Sequence, residues 1–225
     1  MKVINLLGSN AIGKSTKMSY LVYYLEQKYG DPEIVYIKKD GKGVILGRIY
    51  NDEIFIFGKV NNKGKWVSLD TAAITTLDGR INHIIEMKNK GIKYYFFEGF
   101  FNNHSFSFFE RLQKEKGLEV FYYIFIYKNA QEFLERCNNR TGKEERTLEW
   151  AEKSPGFRRN KELENLYEKI NNLEGNNFKT YLLDKETDRN ILIKDFFNEQ
   201  LNKSEEEVIN YLLKKGNNDK NKNLW

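Results

Sequence analysis

Gly8-Ser9-Asn10-Ala11-Ile12-Gly13-Lys14-Ser15-Thr16 is the stretch whose residue types and spacing most clearly carry chemistry. It satisfies G-x-x-x-x-G-K-[ST] without a mismatch, after the apolar run 3–7 and before a helical pattern. Glycines let the backbone curl so that several N–H groups point inward, and the helix that follows adds a positive partial charge at its N-terminus. Lys14 then reaches the β- and γ-phosphates of a nucleoside triphosphate, Ser15 offers its hydroxyl to Mg²⁺, and Thr16 supports the α-phosphate. The pattern predicts binding of ATP or GTP. By itself it does not separate a kinase from an NTP-driven switch.

Further candidates lie downstream. Glu98, in "YYFFEGFF", ends an apolar run at the kind of strand end where open α/β sheets bind ligands. A carboxylate there orders Mg²⁺ through water or activates the attacking group; the alternative is a strand end facing solvent. Asp70 precedes a helical pattern, so it reads as an N-cap, as the base for an acceptor hydroxyl, or as both. Asp40, in "KKDGKG", is a rival for that base and reads better as a turn corner. Arg136 and Arg140, with Arg146, Arg158 and Arg159, crowd one segment where arginines could close over a triphosphate and neutralise charge. Interleaved glutamates also allow a solvated charged loop. Trp66 and the aromatics after Glu98 are candidates for stacking on a base, although helical spacing assigns Phe106, Phe109 and Leu112 to the core. His104 reads as structural or surface.

These residues need a scaffold, and the apolar pattern supplies one. Strands are expected over 2–7, 33–38, 44–50, 54–60, 93–97, 119–127 and 178–183. Helices are expected over 14–29, 71–89, 105–116, 130–139, 160–173 and 187–197, with 140–159 irregular. Strands alternating with helices predict an α/β fold: a P-loop three-layer α/β/α domain with a mostly parallel sheet, a β-hairpin insert over 44–67 and an arginine-rich, lid-like segment over 138–160. That domain is expected over 1–200, and 201–225 reads as a short terminal helix, ending near Gly216, with a flexible tail.

Composition narrows the class. The chain has 225 residues, 40% hydrophobic and 15% aromatic, enough for a buried core and unlike a disordered protein. One cysteine, Cys137, excludes an internal disulfide, and two histidines argue against a metal cluster. No stretch approaches the length of a membrane span, and 3–7 is too short for a signal peptide, so no membrane partner and a cytoplasmic location are expected. A net charge of +5 suits phosphate-rich partners. Oligomeric state stays open.

The order of P-loop, "VILGRIY", Ser68-Leu69-Asp70 before a helix, Phe97-Glu98-Gly99-Phe100 after a strand, and an arginine-rich segment resembles the phage-type P-loop kinases related to adenylate and polynucleotide kinases. That group includes kinases that phosphorylate 5-hydroxymethyluracil in DNA. The resemblance spans roughly residues 1–195, with the P-loop its one highly specific motif. Ser68 replaces a glycine of the family pattern, and 51–67 is longer than its counterpart. The resemblance implies ATP and Mg²⁺ as cofactors, phosphoryl transfer as the reaction, and a pyrimidine-related hydroxyl in DNA or a nucleotide as acceptor. A free nucleoside or nucleotide kinase and a regulatory P-loop NTPase are the rival readings.

Overall fold

A computed structural model describes residues 1–9, 12–39, 41–67, 76–99, 105–141, 146–172 and 178–221. In chain order the elements are β1 (Lys2–Gly8), α1 (Lys14–Tyr29), β2 (Glu33–Lys39), β3 (Lys42–Tyr50), β4 (Ile54–Phe57), β5 (Lys59–Val60), β6 (Trp66–Val67), α2 (Leu77–Asn89) and β7 (Tyr94–Glu98), followed by α3 (Ser105–Lys114), β8 (Glu119–Phe125), α4 (Ala130–Thr141), α5 (Leu148–Lys153), α6 (Pro155–Asn171), β9 (Phe178–Leu183), α7 (Ile191–Phe197) and α8 (Glu205–Asn221). Seven strands form a mostly parallel sheet in the order β2-β3-β4-β7-β1-β8-β9, flanked by helices, and β5 pairs with β6 in a separate ribbon. The fold is α/β, as the alternation of strand and helix patterns predicts.

The chain divides into two compact units. One comprises Met1–Lys2, Ser15–Glu98 and Asp188–Trp225. Within it β2, β3 and β4 form an antiparallel meander, and β4 runs parallel to β7 from Ile54↔Tyr94 to Ile56↔Phe96. The β3–β4 turn uses Asn51 and Asp52, both at positive φ (50° and 56°), with the Glu53 amide donating to the Tyr50 carbonyl. That geometry matches the right-handed twist of the flanking strands. The hairpin expected as an insert is therefore integral to the main sheet. Its second strand is interrupted at Gly58, so β4 and β5 replace the single strand expected over 54–60.

The other unit comprises Val3–Lys14 and Gly99–Thr187. In it β8 and β9 are parallel, in register from Val120↔Phe178 to Phe125↔Leu183. Val120 to Phe125 are all buried, which accounts for the nearly continuous apolar sequence of β8.

Several boundaries differ from the sequence pattern, each for a local reason. The segment 140–159 is not irregular: α4 reaches Thr141, and α5 and the start of α6 fill 148–159. Two caps create them. Thr147 Oγ1 accepts from the Trp150 amide at 3.2 Å, and Ser154 Oγ accepts from Gly156 at 3.2 Å with Pro155 following. Much of the charge read as loop lies on these helices, as in the Lys153–Glu149 pair one turn apart. α2 starts at Leu77, capped by Thr76, while 71–75 lie outside the described residues. α7 starts at Ile191 because Asp188 Oδ1 accepts from the Asn190 amide and holds a turn there. α8 passes Gly216 and continues to Asn221, since one glycine weakens a helix without ending it.

Candidate functional site

Gly8 closes β1 against the end of β8. A Cβ there would stand 2.9 Å from the Phe125 carbonyl oxygen and 3.0 Å from Ile12 Cγ2, so the first glycine of the motif is required by packing. Gly13 has φ 97°, a conformation that β-carbon-bearing residues rarely adopt. Ile12 and Ser9 are fully or almost fully buried, so the loop is anchored inward at two points. Asn10 and Ala11 lie outside the described residues.

Lys14 folds over its own loop. Its Nζ donates to the carbonyls of Gly8 at 2.8 Å and Ser9 at 3.0 Å, which places the ammonium within the curl of the backbone. Ser9 Oγ donates to Asn160 Oδ1 at 3.0 Å, and Asn160 Nδ2 donates to the Tyr127 carbonyl at 2.7 Å. Asn160, on α6 and 6% exposed, thus ties the loop to the chain just beyond β8. No sequence signal marked Asn160, because its role depends on a hydrogen bond spanning 151 positions.

Beyond Lys14 the chain enters the first turn of α1. Ser15 Oγ donates to Glu98 Oε1 at 2.8 Å, and Glu98, the last residue of β7, is 4% exposed. The hydroxyl and the carboxylate that the sequence marked separately are therefore in direct contact. Ser15, Thr16, Ser19, Tyr20, Lys65 and Glu205 are among the residues lining a small cavity of about 30 Å³. Hard oxygen donors such as Ser15 and Glu98 suit Mg²⁺, which keeps several waters and phosphate oxygens in its octahedral shell. Among the described residues no group of three or more His, Cys, Asp and Glu side chains could hold a metal ion. A site of one hydroxyl and one carboxylate completed by phosphate needs no such group, so the residues fit the cation.

No protein-family model, curated protein or solved structure matches this chain. Among the described residues no helix is long and apolar enough to cross a membrane.

The remaining candidates divide. Asp70, Asp40 and His104 lie outside the described residues. Arg136 is exposed on α4. Arg140 stands in the last turn of α4, and its side chain lies outside the described set. Arg158 is exposed and Arg159 half-buried in the first turns of α6. Arg146 is held at its backbone by Asn138, and its guanidinium lies 4.2 Å from the Trp150 ring centroid. Trp66 has 0% exposure, so it is a core residue and not a stacking platform for a base. Of the aromatics after Glu98, Phe108 is buried together with Leu112, while the side chains of Phe106 and Phe109 lie outside the described set.

Proposed function

We propose that this chain is a P-loop kinase that transfers the γ-phosphoryl group of ATP to a hydroxyl of a nucleic-acid component, with 5-hydroxymethyluracil in DNA as the acceptor that the resemblance favours. The observation that carries this reading is the 2.8 Å contact between Ser15 of the glycine loop and Glu98 at the end of β7. A loop matching by chance would have no reason to meet a buried strand-end carboxylate.

In this reading the loop amides and Lys14 hold the triphosphate, with Lys14 exchanging the Gly8 and Ser9 carbonyls for phosphate oxygens. Ser15 and Glu98 would hold Mg²⁺, which when bound neutralises charge on the β- and γ-phosphates. The acceptor oxygen attacks the γ-phosphorus, the bond to the β–γ bridging oxygen breaks, and ADP leaves. With Glu98 bonded to Ser15, Asp70 is the carboxylate proposed to take the acceptor proton, with Asp40 its rival. Arg136 and Arg140 are the lid arginines that neutralise charge during transfer. Excluding water keeps the phosphoryl group from hydrolysis. If the acceptor base lies within a duplex, it must flip out of the stack.

Incubation with γ-labelled ATP and hydroxymethyluracil-containing DNA, ordinary DNA or free nucleotides tests the reading. Label on the modified DNA, abolished by Lys14→Ala, is the expected result. Label on free nucleotides alone would replace the DNA acceptor with a nucleotide. Release of inorganic phosphate alone would make the chain a regulatory NTPase.

A further inference from the structure

Ser19 lies one turn after Ser15 on α1 and is 3% exposed. Its hydroxyl donates to the Ser15 carbonyl at 2.8 Å and accepts from the backbone amide of Trp66 at 3.0 Å. The first bond is common for a serine inside a helix, which bonds back to the carbonyl four residues earlier. The second is not local: the amide comes from β6, 47 positions away. Ser15 is therefore gripped twice, through its hydroxyl by Glu98 and through its carbonyl by Ser19.

Trp66 is itself fixed. Its side chain is fully buried, and the Arg48 guanidinium lies 5.9 Å from its ring centroid. Arg48 donates to Glu26 Oε1 at 2.5 Å, both side chains being buried, and Glu26 lies on α1. The links run from a buried ion pair through Trp66 and Ser19 to Ser15 and Glu98, all inside one compact unit. Lys65, the residue before Trp66, lines the same cavity as Ser15 and Thr16. Asp70 follows Trp66 four positions later in the sequence.

We propose that Ser19 is a positioning residue that couples Ser15 to β6, so that occupation of the glycine loop is felt at Trp66. The proposal rests on the nucleotide-binding reading given above. A cation held by Ser15 and Glu98 together would draw the Ser15 oxygen towards itself, and the first turn of α1 would adjust with it. Movement of the Ser15 carbonyl moves the Ser19 hydroxyl, and the Trp66 amide bonded to it follows. The consequence is an order of events: nucleotide and cation bind first, and β6 responds.

The test uses tryptophan emission. The chain has three tryptophans, so Trp150→Phe with Trp225→Phe leaves Trp66 as the sole reporter. In that background ADP with Mg²⁺ is expected to shift the emission, and ADP with EDTA to shift it less, while calorimetry records binding directly. Ser19→Ala should still bind ADP, lose the emission shift, and need about tenfold more Mg²⁺ for half-saturation. Ser19→Thr, which keeps the hydroxyl, should restore the shift. An emission response unchanged by Ser19→Ala, or absent from the parent while calorimetry shows ADP and Mg²⁺ bound, overturns the coupling and leaves the kinase reading intact. Failure of ADP to bind at all overturns both. In the unsubstituted chain, hydrogen exchange at the Trp66 amide should slow when ADP and Mg²⁺ are added; an unchanged rate also overturns the coupling.

Discussion

Ser15 and Glu98 stand 83 positions apart in sequence and 2.8 Å apart in space, with the Ser15 hydroxyl donating to a carboxylate that is almost fully buried. The pair joins the first turn of α1 to the end of β7. If it forms the cation site, Glu98→Gln should lower turnover and Mg²⁺ affinity by about 10- to 100-fold while leaving ADP binding in EDTA nearly unchanged. Ser15→Ala should behave alike. The double variant should be no worse than the poorer single, because both act through one site. Steady-state kinetics across Mg²⁺ concentrations check this.

Asn160 holds Ser9 on one side and the Tyr127 carbonyl on the other, all in buried surroundings. Asn160→Leu removes both bonds and leaves a hydroxyl and a carbonyl without them. The expected loss is about 1–3 kcal/mol of stability, read from urea unfolding. Nucleotide affinity should fall as well, because Ser9 belongs to the loop. An unchanged affinity would make Asn160 purely structural.

Glu26 and Arg48 form an ion pair with side-chain exposures of 0% and 2%, and Tyr50 also donates to the same carboxylate oxygen. Burial raises the Glu26 pKa, an effect that the Arg48 charge opposes. Removing one partner, as in Arg48→Met, should cost about 3–5 kcal/mol because a charge is left buried alone. Glu26→Leu combined with Arg48→Met should recover most of that loss. A double variant as unstable as the single would show that the pair contributes more than mutual neutralisation.

His83 predicts a pH dependence. Its Nδ1 lies 2.8 Å from the Tyr95 hydroxyl in an aromatic cluster with Phe55 and Phe57, and burial lowers its pKa from 6.5 to about 4. Glu86 acts in the opposite direction and Lys90 in the same one. Between these two values the unfolded chain binds the proton and the folded chain does not. The His83 contribution is therefore fully present above pH 6.5 and declines as pH falls towards 4, by on the order of 3 kcal/mol in total. His83→Gln should remove this part of the slope of unfolding free energy against pH. A variant with the wild-type slope would assign the dependence to other groups.

The parts of the fold written in local pattern were legible from the chain alone. The near-continuous apolar run of β8 and the turn residues Asn51 and Asp52 each announce an element through its own neighbours in sequence. Capping was also legible in principle, since Thr147 and Ser154-Pro155 are start signals. Charge density around them gave the segment the look of a loop, and the caps decided otherwise. Trp66 shows the opposite limit. Its place four residues before Asp70 makes it a stacking candidate, yet it is fully buried, because burial depends on what packs around it and nothing within a few positions encodes that.

The sequence by itself determined the glycine loop, since G-x-x-x-x-G-K-S is a short-range instruction to the backbone, and it marked Glu98 as a carboxylate ending a buried strand. Only the tertiary structure decided what those groups touch. It brought Glu98 to Ser15, made Asn160 the partner of Ser9, and joined the Ser19 hydroxyl to the Trp66 amide. A hydrogen bond reaches about 3 Å whatever the separation along the chain, so partners 47, 83 and 151 positions apart become neighbours only once the sheet and its helices are assembled.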